Sequence, residues 1–388
     1  MTILTTMRGN PNTMATLTKR ALAGFAAAGA MALVLSGCAG GAGDVAEEAT
    51  DAGSDTTEET TEEAPAAVDF LACAVSDEGS WEDASFNEAV YRGLLQAEDE
   101  LGVEIAALES NSPEDFEPNV QASVDAGCDV IFGVGFALED ALKASAQENT
   151  DMVYVAVDGD NTVDGEPLPN VKSVRYAMYE SSYLAGYAAA AYSSSKVIGT
   201  YGGVQIPPVT DFMDGYYYGA QAWAADTGED ITVVGWDPAA GTGDFIGDFA
   251  PNSATSKSIA ASLIEAGADV IFPVGGDQFG ATSEAITEAG IEGAMVGVDL
   301  DIAATSPQYA PFVLTSAEKR MTVATFEIIE DLASGGEFTN ETYLGTLGNG
   351  GTDISPFYEF DSEISQETKD RLAEIKQGII DGSIDPLS

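Results

Sequence analysis

From residue 68 onward, short apolar runs alternate with amphipathic stretches. Residues 68–75 form the first apolar run and predict a strand. Residues 87–101 follow with helical spacing, placing Val90, Leu94, Ala97 and Leu101 on one face. The alternation continues with strands at 103–108, 129–134, 152–157 and 171–176. Helices are predicted at 113–126 and 138–148, and a small-residue helix at 181–192. Then the pattern starts again. Strands are expected at 197–201, 232–235, 269–274, 294–298 and 312–314, with helices near 211–225, 254–266 and 278–289. Even the wording recurs: DAGCDVIFGVG at 125–135 and EAGADVIFPVGG at 265–276. Each is a helix-ending glycine, a buried strand and a glycine turn. Continuous apolar strands separated by helices indicate parallel sheets covered on both faces. The chain therefore reads as an α/β protein of two Rossmann-like lobes with parallel sheets joined by a hinge. Helices at 317–334 and 366–380 close it.

Ahead of the lobes lie two segments of different character. Lys19 and Arg20 precede a small, apolar run from Ala21 to Leu35, which ends in Leu35-Ser36-Gly37-Cys38. That is the order of a secretory signal with a cysteine at the first mature position, and it resembles the bacterial lipoprotein box. The apolar run is too short for the ~20 residues of a membrane span. Cys38 is the expected lipidation site, and two or more acyl chains give stable anchoring. Residues 39–67 contain little beyond Gly, Ala, Thr, Asp and Glu and read as a disordered acidic tether. The expected division is 1–37 signal peptide, 38–68 lipidated Cys and tether, 69–194 plus 318–342 lobe I, and 195–317 plus 343–388 lobe II.

Charge removes several function classes. The chain carries 14 basic and 65 acidic residues and no histidine. Without the signal, 11 basic against 65 acidic residues leave a net charge of −54. Such a surface repels phosphate backbones, so no nucleic-acid partner is expected. It also repels anionic lipid, so the membrane is reached through the lipid anchor. A solvation strategy and a cationic ligand both account for the acidity. The acids are spread over the whole chain, which favours solvation. Without histidine there is no Ser-His-Asp or Cys-His arrangement and no imidazole metal site. No cofactor, metal or catalytic residue is expected. Cys73 lies mid-strand and Cys128 at a strand start, so the expectation is two buried free thiols.

Four constellations fall at strand carboxyl ends, where open parallel sheets bind ligands. Trp81-Glu82-Asp83-Ala84-Ser85-Phe86-Asn87 follows the first strand; Ser85 or Asn87 caps the next helix, or the group contacts a flat polar ligand. Gly133-Val134-Gly135-Phe136 allows close backbone approach, with Phe136 as a pocket wall, but lacks the rest of a dinucleotide fingerprint. Asp158 and Asp299 are each the first charge after a buried run. Lys319, in a chain poor in lysine, is either an ion-pair partner of a local acid or a donor to ligand hydroxyls close to Asp299.

Several phrases together resemble the basic membrane protein family of lipoproteins, which includes purine-nucleoside receptors of bacterial ABC transporters. They are DASFNEAVYRGL (83–94), VGFALEDAL (134–142), YLAGYAAA (183–190), IGTYGG (198–203), GADVIFPVGG (267–276), VGVDLD (296–301) and LTSAEKR (314–320). The resemblance spans about residues 69–357. It implies the periplasmic-binding-protein type I fold and a base held between aromatic rings. Asp83, Phe86, Asn87 and Asp158 would then contact the base or its surroundings. Asp299 and Lys319 would hold the sugar as a pair, with Gly275 and Gly276 offering backbone N–H groups. The second aromatic is Phe249, with Trp236 or Phe245 as alternatives, because the segment GWDPAAGTGDFIGDFAPN is longer than the family's pattern.

The expected function is therefore a monomeric extracytoplasmic lipoprotein on the cell membrane. It captures a nucleoside, purine in kind, and delivers it to an ABC-transporter permease without breaking a bond. A pentose or other sugar receptor, and a lipid-anchored sensor for a membrane receptor, are the alternatives within binding proteins. A nucleoside hydrolase is the enzymatic one, and it lacks a metal motif and a nucleophile.

Overall fold

In a computed structural model the described residues are 68–388; Cys38, the signal and the tether lie outside them. The two rounds of alternation become two six-stranded sheets. The first runs in the order Tyr343–Gly345, Val171–Tyr176, Val153–Val157, Val130–Val134, Leu71–Glu78, Glu104–Ser110, with all pairs parallel. The second runs Thr352–Ile354, Val313–Lys319, Ala294–Asp299, Val270–Val274, Val197–Gly202, Thr232–Val234. Only Thr352–Ile354 is antiparallel in it. Taken without the last-added edge strands, both sheets have the doubly wound order 2-1-3-4-5. Each therefore has a topological switch point beside its first strand.

Helices cover both faces of each sheet. In lobe I, Phe86–Leu101 packs on Met321–Ala333, and Phe116–Ala126 packs near Glu139–Glu148. Phe86–Leu101 buries Ala89, Val90, Leu94 and Ala97, the face its spacing predicts, and ends at Gly102 with φ 71°. In lobe II, Ala254–Glu265 packs on Phe279–Ala289. On the other face Met178–Tyr192 meets Pro207–Thr227 so closely that a Cβ on Gly186, Gly215 or Gly219 would collide with partner backbone. One apolar cluster runs continuously through both lobes on that side, taking in Leu94, Leu184, Phe212, Phe272 and Ile329. Each sheet's opposite face has its own smaller cluster. Among the described residues no helix is long and apolar enough to cross a membrane.

The hinge differs in detail from the sequence expectation. Helix Met178–Tyr192, placed by sequence in lobe I, packs against the lobe II strand Val313–Lys319 and helix Pro207–Thr227. Tyr343–Gly345, placed in lobe II, extends the lobe I sheet by pairing with Val171–Tyr176. The helix expected from residue 317 starts only at Met321, because Ala317, Glu318 and Lys319 pair with Ile354, Asp353 and Thr352 and prolong the strand. The chain thus crosses between lobes after Tyr176, after Lys319 and after Gly345. Two backbone bonds stitch the crossings: Ala177 N–H to Gly345 C=O (2.8 Å) and Arg320 N–H to Gly351 C=O (3.0 Å).

The expected free thiols are corrected to a disulfide. Cys73 and Cys128 are bonded, with Cα atoms 5.9 Å apart, inside the usual bridging range. Cys73 is mid-strand as expected. Cys128, however, lies in the turn between Gly127 and Val130–Val134, outside the ladder, and folds over the sheet face onto Cys73. The bridge spans 55 residues, which corresponds to about 4 kcal/mol in the chain-entropy account. Reduction, or Cys73→Ala with Cys128→Ala, should lower the urea midpoint accordingly. Finding both thiols reactive in the unreduced, denatured protein would contradict the bridge.

Candidate functional site

The loops that end corresponding strands of the two lobes face each other across a cavity of about 740 Å³. That is within the usual range for a small-ligand site. Lobe I supplies the loop after Leu71–Glu78, the Gly135-Phe136 turn and Asp158. Lobe II supplies residues 204–209, the 247–251 loop, the Gly275-Gly276 turn, Asp299 and Lys319. All ten sequence-selected residues line this one cavity: Asp83, Phe86, Asn87, Phe136, Asp158, Phe249, Gly275, Gly276, Asp299 and Lys319.

The first loop is held partly by groups outside the cavity lining, Trp81 and Glu109, and partly by Asp83. Trp81 is buried and stacks on Tyr91, ring centroids 5.6 Å apart, while its backbone N–H donates to Glu109 Oε1 (2.7 Å). The helix cap is neither Ser85 nor Asn87. Asp83 accepts from the backbone N–H groups of Ser85, Asn87 and Glu88 at 2.9, 2.9 and 3.0 Å. A carboxylate there also opposes the helix dipole. Burial nevertheless raises its pKa. Ser85 and Asn87 are thereby released for other contacts. Ser85 Oγ donates across the cleft to Asp299 Oδ2 (2.6 Å). Asn87 Nδ2 donates to Asp77 Oδ1 (3.1 Å), leaving its buried Oδ1 without a partner among the described residues.

Asp158 and Asp299 both adopt the left-handed backbone region, φ 55° and 67°. This is strained for most residues, is tolerated by Asp, and clusters at functional sites. Asp299 and Lys319 both line the cavity, and the charge of Lys319 acts on the Asp299 carboxyl. The two sit on adjoining strands, Asp299 opposite Glu318, yet Lys319 Nζ bonds to Asp158 Oδ2 of the other lobe at 2.5 Å. Lys319 is 2% exposed. Its ammonium also lies over the rings of Phe86, Phe212 and Tyr176, 5.3 to 5.7 Å from their centroids. Burial pushes the Asp299 carboxyl up to about 6 despite the opposing pull of Lys319 and Ser85.

At the mouth Phe136 and Phe249 approach from opposite lobes, centroids 6.4 Å apart. The long segment before Phe249 explains which aromatic reaches the site. Trp236-Asp237 pairs with Thr242-Gly243 as a hairpin, and Ile246 and Gly247 then bond along Gly202 and Gly203. Trp236 Nε1 donates to Asp214 (2.7 Å) and Phe245 packs edge-on against the Trp236 ring. Those two support the loop, and Phe249 lines the cavity.

The sequence reading missed Asp77, Phe212 and Asp277, which also line it. Asp77 is the first charge after its buried strand, the same signal that singled out Asp158 and Asp299. Burial raises its pKa to about 6 against the lowering effect of Asn87. Among the described residues no His, Cys, Asp or Glu cluster suits a metal ion. The arrangement offers aromatic faces, acceptors on both sides and one cation.

Comparisons with known proteins agree with this architecture. The profile of the family described as Bmp, ABC transporter substrate-binding protein PnrA-like, matches residues 70–384. The ABC transporter nucleoside-binding protein BmpA of Lactococcus lactis subsp. cremoris is 32% identical over 333 residues, covering 81% of this chain and 88% of the relative. An uncharacterized lipoprotein of Pyrococcus abyssi is 28% identical over 279 residues, 71% and 66% of the two chains. Among solved structures, an ABC transporter solute-binding protein from Aeropyrum pernix K1 superposes with TM-score 0.71 at 24% identity, covering 81% and 92%. One from Conexibacter woesei gives 0.62 at 19%, covering 81% and 98%. The two-lobed α/β fold is shared with these solute-binding structures, and the chain belongs to the Bmp family of PnrA-like ABC transporter substrate-binding proteins.

Proposed function

We propose that this protein captures a purine nucleoside between its lobes and presents it, from a lipid anchor at Cys38, to an ABC-transporter permease. The observation that carries the reading is the cavity itself. It combines facing aromatic walls with hydrogen-bonding groups from both lobes. Phe86 and Phe249 would sandwich the base, with Asp77 and Asn87 at its polar edge. Asp299, Lys319 and the Gly275-Gly276 backbone would hold the ribose, and Phe136 would close the mouth. The BmpA relative is named for nucleoside binding, which supports the same assignment. Closure on a hinge of three crossings fits a binder that samples solution and then docks. No step of this reading requires a bond to break, so the protein acts in it as a receptor and not as an enzyme, with one chain sufficient for the site.

The full chain in detergent should show a thermal midpoint raised by adenosine, guanosine or inosine, since a ligand that binds only the folded state stabilises it by mass action. A rise with ribose or spermidine and none with any nucleoside would reject the reading. Asp299→Ala or Lys319→Ala should weaken nucleoside binding by about 1–3 kcal/mol, the worth of a hydrogen bond to a charged group. Calorimetric titration reads the change, and unaltered affinity in both would remove them from the ribose site.

The raised carboxyls give a second test. Asp77 and Asp299 move from 3.8 to about 6 on folding. The folded chain therefore holds protons that the unfolded chain has released in that interval. Their contribution favours folding below about pH 4, declines as pH rises through 6, and is level above it. Urea unfolding between pH 4 and 7 should show a shallower fall for Asp299→Asn than for the unaltered chain. Identical slopes would contradict the burial of that charge.

A further inference from the structure

The charge inside the cavity is lopsided in a way that a neutral nucleoside does not satisfy. Eight carboxylates line it against one cation, Lys319, and Lys319 is already paired with Asp158. The other seven carry no ion pair among the described residues. Two of the polar groups are deeply set: Asp77 and the unpartnered Oδ1 of Asn87, which is 3% exposed. Asp77 uses one oxygen on Asn87, and among the described residues no hydrogen bond reaches the other. The rings of Phe86, Phe136, Phe212 and Phe249 line the same cavity.

The site shows how it treats a positive charge. The ammonium of Lys319 is stabilised by a carboxylate on one side and by three aromatic rings around it. Phe136 and Phe249 line the same cavity with Asp77, and among the described residues no cation lies over either ring. A flat ring carrying a delocalised positive charge, stacked on the aromatics with its edge toward Asp77, would gain both the cation–π and the Coulombic attraction. Resting on the nucleoside reading of the same site, we propose that the cavity takes cationic nucleosides, N-methylated on the base ring so that it bears a positive charge, in preference to their neutral parents. The pKa of Asp77, held up by burial, is in keeping with a carboxylate that lacks a positive partner. Such nucleosides are released when methylated RNA is degraded to its nucleosides, so a nucleic-acid hydrolysis followed by phosphate removal is the class of reaction that would supply them.

The test is calorimetric titration of the full chain in detergent at pH 7 with three ligands. Adenosine is neutral, 1-methyladenosine is cationic, and N6-methyladenosine carries the methyl group without the charge. The cationic ligand should bind about fivefold tighter than adenosine or better. The neutral methylated one should show no such gain. High salt should shrink the ratio, and Asp77→Asn should bring it toward one. Should Asp77→Asn fail to fold, the three-ligand comparison on the unaltered chain still decides the matter. Adenosine binding as tightly as 1-methyladenosine, or N6-methyladenosine gaining as much, overturns the cationic preference and leaves the nucleoside reading standing. No binding of these three, nor of guanosine or inosine, overturns the nucleoside reading and the inference with it.

Discussion

The buried ion pair between Asp158 and Lys319 is the contact on which the closed form of this protein turns. Each partner ends a strand in a different lobe, and each has left most of its water behind. Taking two charges out of water costs several kcal/mol per ion, and only close pairing offsets it. A pair of this kind therefore contributes more to which arrangement forms than to how stable it is. Separating the lobes would leave each charge beside apolar walls unless water entered, so the pair ties the wetness of the cleft to its width. Ser85 and Asp299 add a second cross-cleft bond, and Phe136 and Phe249 an aromatic contact at the rim.

That pairing depends on a detail of the hinge. Lys319 reaches Asp158 because its strand does not end at Leu314. The antiparallel segment Thr352–Ile354 extends the ladder to Lys319, and the chain crosses to lobe I in the next residues. The two lobes repeat the same order, so corresponding loops deliver an aspartate from each, Asp158 and Asp299, both in left-handed backbone. Only one lysine stands between them. It bonds to Asp158, and Asp299 is left to a hydroxyl. The near-symmetry of the fold thus produces an uneven division of charge at the cleft.

Much of this was legible in the sequence because it rests on periodicity. Buried parallel strands are continuous apolar runs, and the first charge after each run marks the edge that faces a cleft; Asp77 obeys the same rule and was passed over. Three things were not legible. The edge strands Tyr343–Gly345 and Thr352–Ile354 are three residues long and take their conformation from a neighbour's exposed edge, so no local pattern announces them. The disulfide depends on Cys128 lying just outside its strand, a one- or two-residue matter that apolar context does not resolve. The partner of Lys319 lies 161 residues away in the chain, and whether it is Asp158 or Asp299 is decided by how the lobes meet. Cys38, the proposed lipid site, lies outside the described residues, and that proposal stands on its sequence motif.

The acidity of the chain finally acquires a local meaning. Fifty-six acidic residues against 11 basic ones within 68–388 make both lobes repel each other through solvent, a force that salt weakens and that favours an open cleft. The continuous apolar cluster and the stitched hinge keep the lobes attached. Among the described residues the cleft is spanned by one ion pair, one hydroxyl bond, the cation–π contacts of Lys319 on Phe86 and Tyr176, and one aromatic contact, set among carboxylates that burial makes costly to ionise. Closure is therefore held by few contacts against a diffuse repulsion. In such a balance, a ligand that supplies donors or positive charge to the inward-facing acids changes the equilibrium more than its contact area alone would suggest, because it removes part of the force that opens the cleft as well as adding contacts that close it.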